Sequence, residues 1–156
     1  MRNSFEYKQG FNSLYGDINC FLNDSRIGPS GCVSLDIGID YIKQGKPIKF
    51  KDLLVPSRIE NNGIGTYLML TVIDYVRNAK EFFEIKNTVI LRGWLSVVDA
   101  ENGNWNISLP LYHKVGELTD IGHYFEAYDE NHTRYSNPAE FYSHANKTGG
   151  VIVYQI

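Results

Sequence analysis

Apolar and polar residues alternate with a period of two along residues 12–22 (NSLYGDINCFL), 32–42 (CVSLDIGIDYI) and 47–55 (PIKFKDLLV). Successive side chains of a strand point to opposite faces, so this pattern predicts three strands, each with one face toward a core. Residues 23–31 (NDSRIGPSG) are dense in turn formers, and Gln44-Gly45-Lys46 marks the turn before the third strand. The period then changes. From Ile64, the apolar positions Leu68, Val72, Val76 and Ala79 recur three or four apart, with Met69 and Ile73 widening the stripe. That spacing predicts an amphipathic helix over 63–80.

Residues 87–100 (NTVILRGWLSVVDA) carry a near-continuous apolar run, which predicts a strand in the middle of a sheet. A second, short helix is expected over 102–116 (NGNWNISLPLYHKVG), bent or shortened by Pro110 and stopped by Gly116. Closing strands are expected at 122–130 and 149–156, joined by a polar loop over 130–149. Three strands, helix, strand, helix and two strands make a mixed α/β layer of the α+β kind. With 156 residues, no repeat and no linker, the chain reads as one domain over 1–156.

Composition narrows the function classes. Hydrophobic residues make up 43% and charged residues 21%, which are globular values, and the net charge of −3 argues against a sequence-independent grip on nucleic acid. Cys20 and Cys32 have no metal or redox spacing, and the four histidines form no zinc pattern, so no metal is expected. No apolar run approaches the ~20 residues of a membrane span, and the first ten residues lack an export signal, so a cytoplasmic location is expected.

One stretch asks for a reason. In RIENNGIGTYLML, residues 58–70, the helix opens on Gly63 and Gly65, although glycine costs about 1 kcal/mol against alanine inside a helix. Backbone brought close to a phosphate is one explanation, because helix N-termini bind anions through free amides. A P-loop would need a lysine and a hydroxyl after the last glycine, and Thr66 follows with no lysine. A dinucleotide-binding turn would need a third glycine where Leu68 stands.

A third pattern fits better. The segment FKDLLVPSRIENNGIGTYLML resembles the acetyl-CoA-binding segment of the GNAT N-acetyltransferase superfamily: a strand ending in L-x-V, a Q/R-x-x-G-x-G/A loop, then a helix. Here Leu53-Leu54-Val55 ends the strand, and Glu60-Asn61-Asn62-Gly63-Ile64-Gly65 forms the loop. Downstream, NWNISLPLYHKVG is similar to the family helix of the P-F-Y-x-K-x-G-F type, with Tyr112, Lys114 and Gly116 in place. Together the two elements cover residues 48–116. Two positions depart from the pattern: Glu60 replaces the usual Gln/Arg, which sets a carboxylate near the anion with Arg58 or Lys114 to offset it, and Glu117 follows Gly116 in place of Phe.

The resemblance implies a mixed sheet of about six to seven strands, splayed beside the strand ending at Val55, flanked by few helices and with reduced N-terminal helices. It implies acetyl-CoA as cosubstrate, its pyrophosphate on the amides of Asn61 to Thr66 and its pantetheine arm against Leu53, Leu54 and Val55. Asn106, with Asn104, flanks the position where the family often has an Asn contacting that arm. The glycines would then be required because a Cβ would hold phosphate oxygens off the amides. Tyr112 is the implied general acid for the leaving thiolate, against the competing reading of a core tyrosine. For the base, Asp52, Asp99, Glu126 and a water chain all stay open. The acceptor is an amine of a protein, peptide or small molecule, and a second subunit completing an open acceptor side would make a homodimer. A GNAT-fold module that binds CoA or a protein without turnover is the alternative.

Overall fold

The computed structural model describes residues 4–5, 8–9, 16–24, 28–37, 39–55, 63–145 and 148–156. Of the sequence expectations, residues 12–15 of the first strand, 25–27 of the turn after it, 146–147 of the late loop, and the loop at Glu60, Asn61 and Asn62 with Arg58 before it lie outside the described residues.

One mixed sheet organises the chain. In chain order the strands are β1 (Ser4–Phe5), β2 (Lys8–Gln9), β3 (Gly16–Asp24), β4 (Gly28–Ile37), β5 (Ile48–Leu54), β6 (Ile90–Leu95), β7 (Gly122–Ala127), β8 (Arg134–Tyr135) and β9 (Gly150–Gln155). They lie in the order β1-β3-β4-β5-β6-β9-β7-β8, with β2 also pairing to β3. Six of them are six residues or longer, in line with the expected six to seven. Only β5 and β6 pair in parallel among the described strands.

That parallel pair needs a crossover, which α2 (Ile64–Phe82) supplies. A second crossover, α4 (Trp105–Thr119), leads from β6 past β9 to β7. Right-handed connections in the same direction put both helices on one face of the sheet. There Gly65 of α2 meets Leu111 of α4. The predicted stripe is the buried one: Leu68, Met69, Val72, Ile73 and Val76 are all fully buried. Each such side chain contributes roughly 1.5–3 kcal/mol relative to exposure. They pack against Val33, Leu35, Ile48, Phe50 and Leu91 of the sheet in a single core.

Four expectations are corrected. First, the strand expected over 32–42 is β4, which starts earlier, within the turn-rich stretch, and ends at Ile37; α1 (Ile39–Lys43) follows. A single helical turn buries Ile42 as well as a strand would, and Gly45, at φ +71°, closes it. Second, the strand expected to reach residue 100 stops at Leu95. Ser96 then caps α3 (Val97–Glu101), its Oγ accepting from the Asp99 amide at 3.1 Å.

Third, α4 is not short and does not stop at Gly116. Its stripe of Leu109, Tyr112, Val115 and Thr119 keeps burying the same face past Pro110, and the helix ends at Asp120 in the left-handed region, φ 51°. Gly116 serves packing instead: a Cβ there would overlap the imidazole of His123. Fourth, the loop expected over 130–149 holds β8 and α5 (Pro138–Ala145). Asn137 Oδ1 accepts from the Ala139 amide at 2.8 Å, Pro138 takes the first helical position, and Phe141 is fully buried against Trp105 and Phe125. Among the described residues, the part before β5 holds one helix, the five-residue α1.

Candidate functional site

β5 and β6 pair at only three positions: Ile48 with Leu91, Lys49 with Arg92, and Phe50 with Gly93. Beyond them β5 stays with β4, Lys51 opposite Ser34 and Leu54 opposite Cys32, while β6 stays with β9, Trp94 opposite Val151. The two strands therefore splay: among the described residues, no register pair joins β5 to β6 beyond Phe50 and Gly93. Phe50 sits at the fork. Its ring lies over Gly93, where a Cβ would be 2.6 Å from Cε2 and nearer still to Cζ and Cε1. The same ring meets Tyr112 at 5.6 Å and Tyr154 at 6.3 Å between centroids. A register shift in β4 between Cys32 and Ser34 accompanies the divergence on the other side of β5.

The fork opens into a cleft of about 810 Å³. Of the residues expected at the site, Leu53, Leu54, Val55, Gly63, Ile64, Gly65, Thr66 and Tyr112 all line it. Asn106 does not. It is exposed, with its amide near Gly103, whereas Asn104 and Ser108 of the same region reach the cleft. On a helix beginning at Trp105, positions 104, 108 and 111 share a face that 106 does not. Glu60, Asn61 and Asn62 lie outside the described residues.

The glycine doublet has reasons of its own within the chain. Gly63 caps α2 at φ 76°, a left-handed conformation that an L side chain rarely adopts, and a Cβ there would touch nothing within 4 Å. Gly65 allows the helices to approach: its Cβ would stand 2.7 Å from Leu111 Cδ1. Conformation at Gly63 and helix packing at Gly65 thus each call for glycine, beside the phosphate clearance expected from the sequence. Tyr67 donates to the Gly63 carbonyl at 2.9 Å, so the amides of residues 63–66 precede the first intrahelical bond, and among the described residues no side-chain cap is seen at Gly63. No acidic residue occupies the first turn, and Lys114 lines the same cleft.

Tyr112 is 8% exposed. Burial first, and the nearby Asp99 carboxylate second, push its phenol up to about 12, so it stays protonated throughout the neutral range. Its backbone is anchored from the sheet: the Tyr154 hydroxyl, itself raised by burial and then by Tyr112, donates to the Tyr112 carbonyl at 2.8 Å. Of the three carboxylates open as bases, Asp99 lines the cleft. Glu126 is engaged elsewhere, 3.3 Å from His132 Nδ1 and 3.4 Å from Arg134 Nε. The Asp52 side chain lies outside the described residues. Phe50, Trp94 and Leu111 also line the cleft and were not anticipated; only the proximity of an apolar strand end could have flagged Phe50.

No cluster of metal-ligating residues occurs among the described residues, and no described helix is long and apolar enough to cross a membrane. No protein-family model matches the chain, and no curated protein matches its sequence. Among solved structures, two chimeras of the Vibrio cholerae spermidine N-acetyltransferase SpeG with hSSAT align at 15% and 16% identity with a TM-score of 0.49. A variant of the Vibrio cholerae SpeG enzyme aligns at 17% identity with a TM-score of 0.45. Each alignment covers 90% of this chain and 66%, 68% and 64% of those chains respectively, so the chain spans about two thirds of their length. In its own strand order the protein is an α+β mixed sheet, forked between β5 and β6 and backed by α2 and α4, the architecture that the acetyltransferase resemblance of the sequence implies.

Proposed function

We propose that this chain is an acetyl-CoA-dependent N-acetyltransferase acting on a primary amine, with Tyr112 as the acid beside the leaving sulfur. The observation that carries the reading is the fork. It brings the diverging strand end at Leu53 and Leu54, the first-turn amides of α2 and a buried phenol into one cleft.

These residues fit the substrate. An extended pantetheine arm adds to a strand edge through main-chain hydrogen bonds. A pyrophosphate is stabilised at a helix N-terminus by oriented amides and by the positive end of the dipole, and Lys114 adds a cation on the α4 side. Leu53, Leu54 and Val55 supply the edge, and residues 63–66 supply the amides. A main-chain N–H near Leu53 or Leu54 polarises the thioester carbonyl.

In the transfer, the amine nitrogen forms a bond to the carbonyl carbon and the carbon–sulfur bond breaks. The amine loses one proton and the sulfur gains one, so the balance closes. A phenol held near 12 is a weaker acid than a thiol of ordinary pKa ~8.5. Tyr112 therefore acts while the bond breaks, hydrogen-bonding the sulfur as its charge develops, and does not release a free proton beforehand.

The test is calorimetry with acetyl-CoA, followed by free-thiol release across a panel of amines, with Tyr112→Phe alongside. The reading expects acetyl-CoA to bind, and release to fall about 100-fold or more in the variant while affinity holds. No heat at millimolar acetyl-CoA would overturn it. Binding without release for any amine would leave a CoA-binding module in its place.

A further inference from the structure

We infer that Asp99 and Trp94, which line this one cleft, form its acceptor end, a site that captures a cationic aliphatic amine through carboxylate and indole. The inference rests on the acetyltransferase reading for the location of the thioester, and on its own geometry for the chemistry of the acceptor.

The sheet's alternation separates the two ends. Phe50 and Gly93 face the helices, where Phe50 meets Tyr112. The next residues along each strand, Lys51 and Trp94, point to the opposite face and still line the cleft, so the cleft passes through the fork. Trp94 is 63% exposed, and Tyr128 braces it at 4.6 Å between centroids with the rings inclined at 60°. An exposed indole at a cleft mouth costs solvation unless something covers it, and a desolvating alkylammonium is a ligand suited to its face.

Asp99 supplies the counter-charge and is held for it. Its Oδ2 accepts from Ser96 Oγ at 2.9 Å and its Oδ1 from Asn104 Nδ2 at 3.3 Å, so one neutral donor fixes each oxygen and each retains a lone pair for an ammonium. No described cation is paired with it, in contrast to Glu126, which has Arg134 and His132. The described charged and titratable groups lining the cleft are Lys51 on β5, Lys114 on α4, Tyr112 and Asp99 itself. Because Asp99 is exposed at the rim, the proton that the nitrogen sheds before attack passes to water there. The field of Asp99 reaches Tyr112, so the carboxylate that receives the amine is also one that keeps the phenol protonated.

The experiment uses the full chain with acetyl-CoA and three probes: n-butylamine and Nα-acetyl-lysine amide, both alkylammonium ions at neutral pH, and the neutral arylamine aniline. Amine binding to the CoA-loaded protein is read from Trp fluorescence, to which exposed Trp94 responds and buried Trp105 does not; turnover is read by thiol release. The two alkylamine arms distinguish a free amine from a lysine side chain. Asp99→Asn should weaken alkylamine binding and raise its KM about 10- to 100-fold, with acetyl-CoA affinity unchanged and with partial rescue by Asp99→Glu. Trp94→Ala removes that reporter and is read by turnover, where it should raise the alkylamine KM roughly 2- to 5-fold. The alkaline limb of kcat in Asp99→Asn should move to lower pH, which a purely structural role would not produce. Alkylamine KM within twofold of wild type in Asp99→Asn, aniline preferred over butylamine, or no alkylamine binding to the wild type would each overturn the inference. Asp99-dependent binding without turnover would uphold it and sink the acetyltransferase reading instead.

Discussion

If Phe50 seated over Gly93 is what props the fork, the two positions are energetically coupled, and a double-mutant cycle measures by how much. Gly93→Ala places a methyl within the space of the Phe50 ring, against Cζ, Cε1 and Cε2 together. The ring has little freedom to move, being 4% exposed and backed by Tyr112 and Tyr154. Overpacking of a closed site costs about 1–3 kcal/mol or somewhat more, so Gly93→Ala should lose about 3 kcal/mol. Phe50→Leu removes the ring atoms that collide and keeps the branch, at a cost of about 1–2 kcal/mol. In the double variant the methyl has room, and the total should stay near 2 kcal/mol, a coupling of about −2 to −3 kcal/mol. Urea denaturation at fixed pH gives the four stabilities. Costs that add to within about 0.5 kcal/mol would refute the wedge, and with it the physical reason given for the divergence of β5 from β6.

Two further outcomes follow from the same geometry. Tyr112 has its folded pKa raised to about 12 against 10 unfolded, so its contribution is intact below pH 10 and is lost as pH rises from 10 through 12, because only the unfolded chain ionises there. The loss is roughly 2–3 kcal/mol, and the alkaline fall in urea midpoint should be shallower by that amount in Tyr112→Phe; an identical fall in both proteins would contradict the burial argument. Gly63→Ala should cost about 1–2 kcal/mol through its left-handed φ alone, and Gly63→Asn distinctly less, measured by thermal unfolding; equal costs would mean that the conformation is not the constraint.

The sequence by itself determined whatever depends on neighbours along the chain. Period-two alternation located β5, and the stripe from Ile64 to Ala79 located α2 within two residues at each end, because the spacing of apolar side chains has to match the element that buries them. The same local logic put Gly63 at a helix entry. It failed for α1, α3 and α5, each too short for a period to show: α5 buries just Phe141 and Ala145, and α3 just Ala100. It also read Gly116 as a stop, because the partner that needs its missing Cβ, His123, arrives from a different element.

Tertiary structure decided the site. The fork depends on Phe50 meeting Gly93 across two strands far apart in the chain, and on α2 and α4 closing together at Gly65 and Leu111. The choice of Asp99 over Glu126, and of the Asn104 face over Asn106, depends on which side of a helix or strand end turns toward that fork. Periodicity records how much of an element is buried. It does not record against what, and chemistry depends on the second quantity.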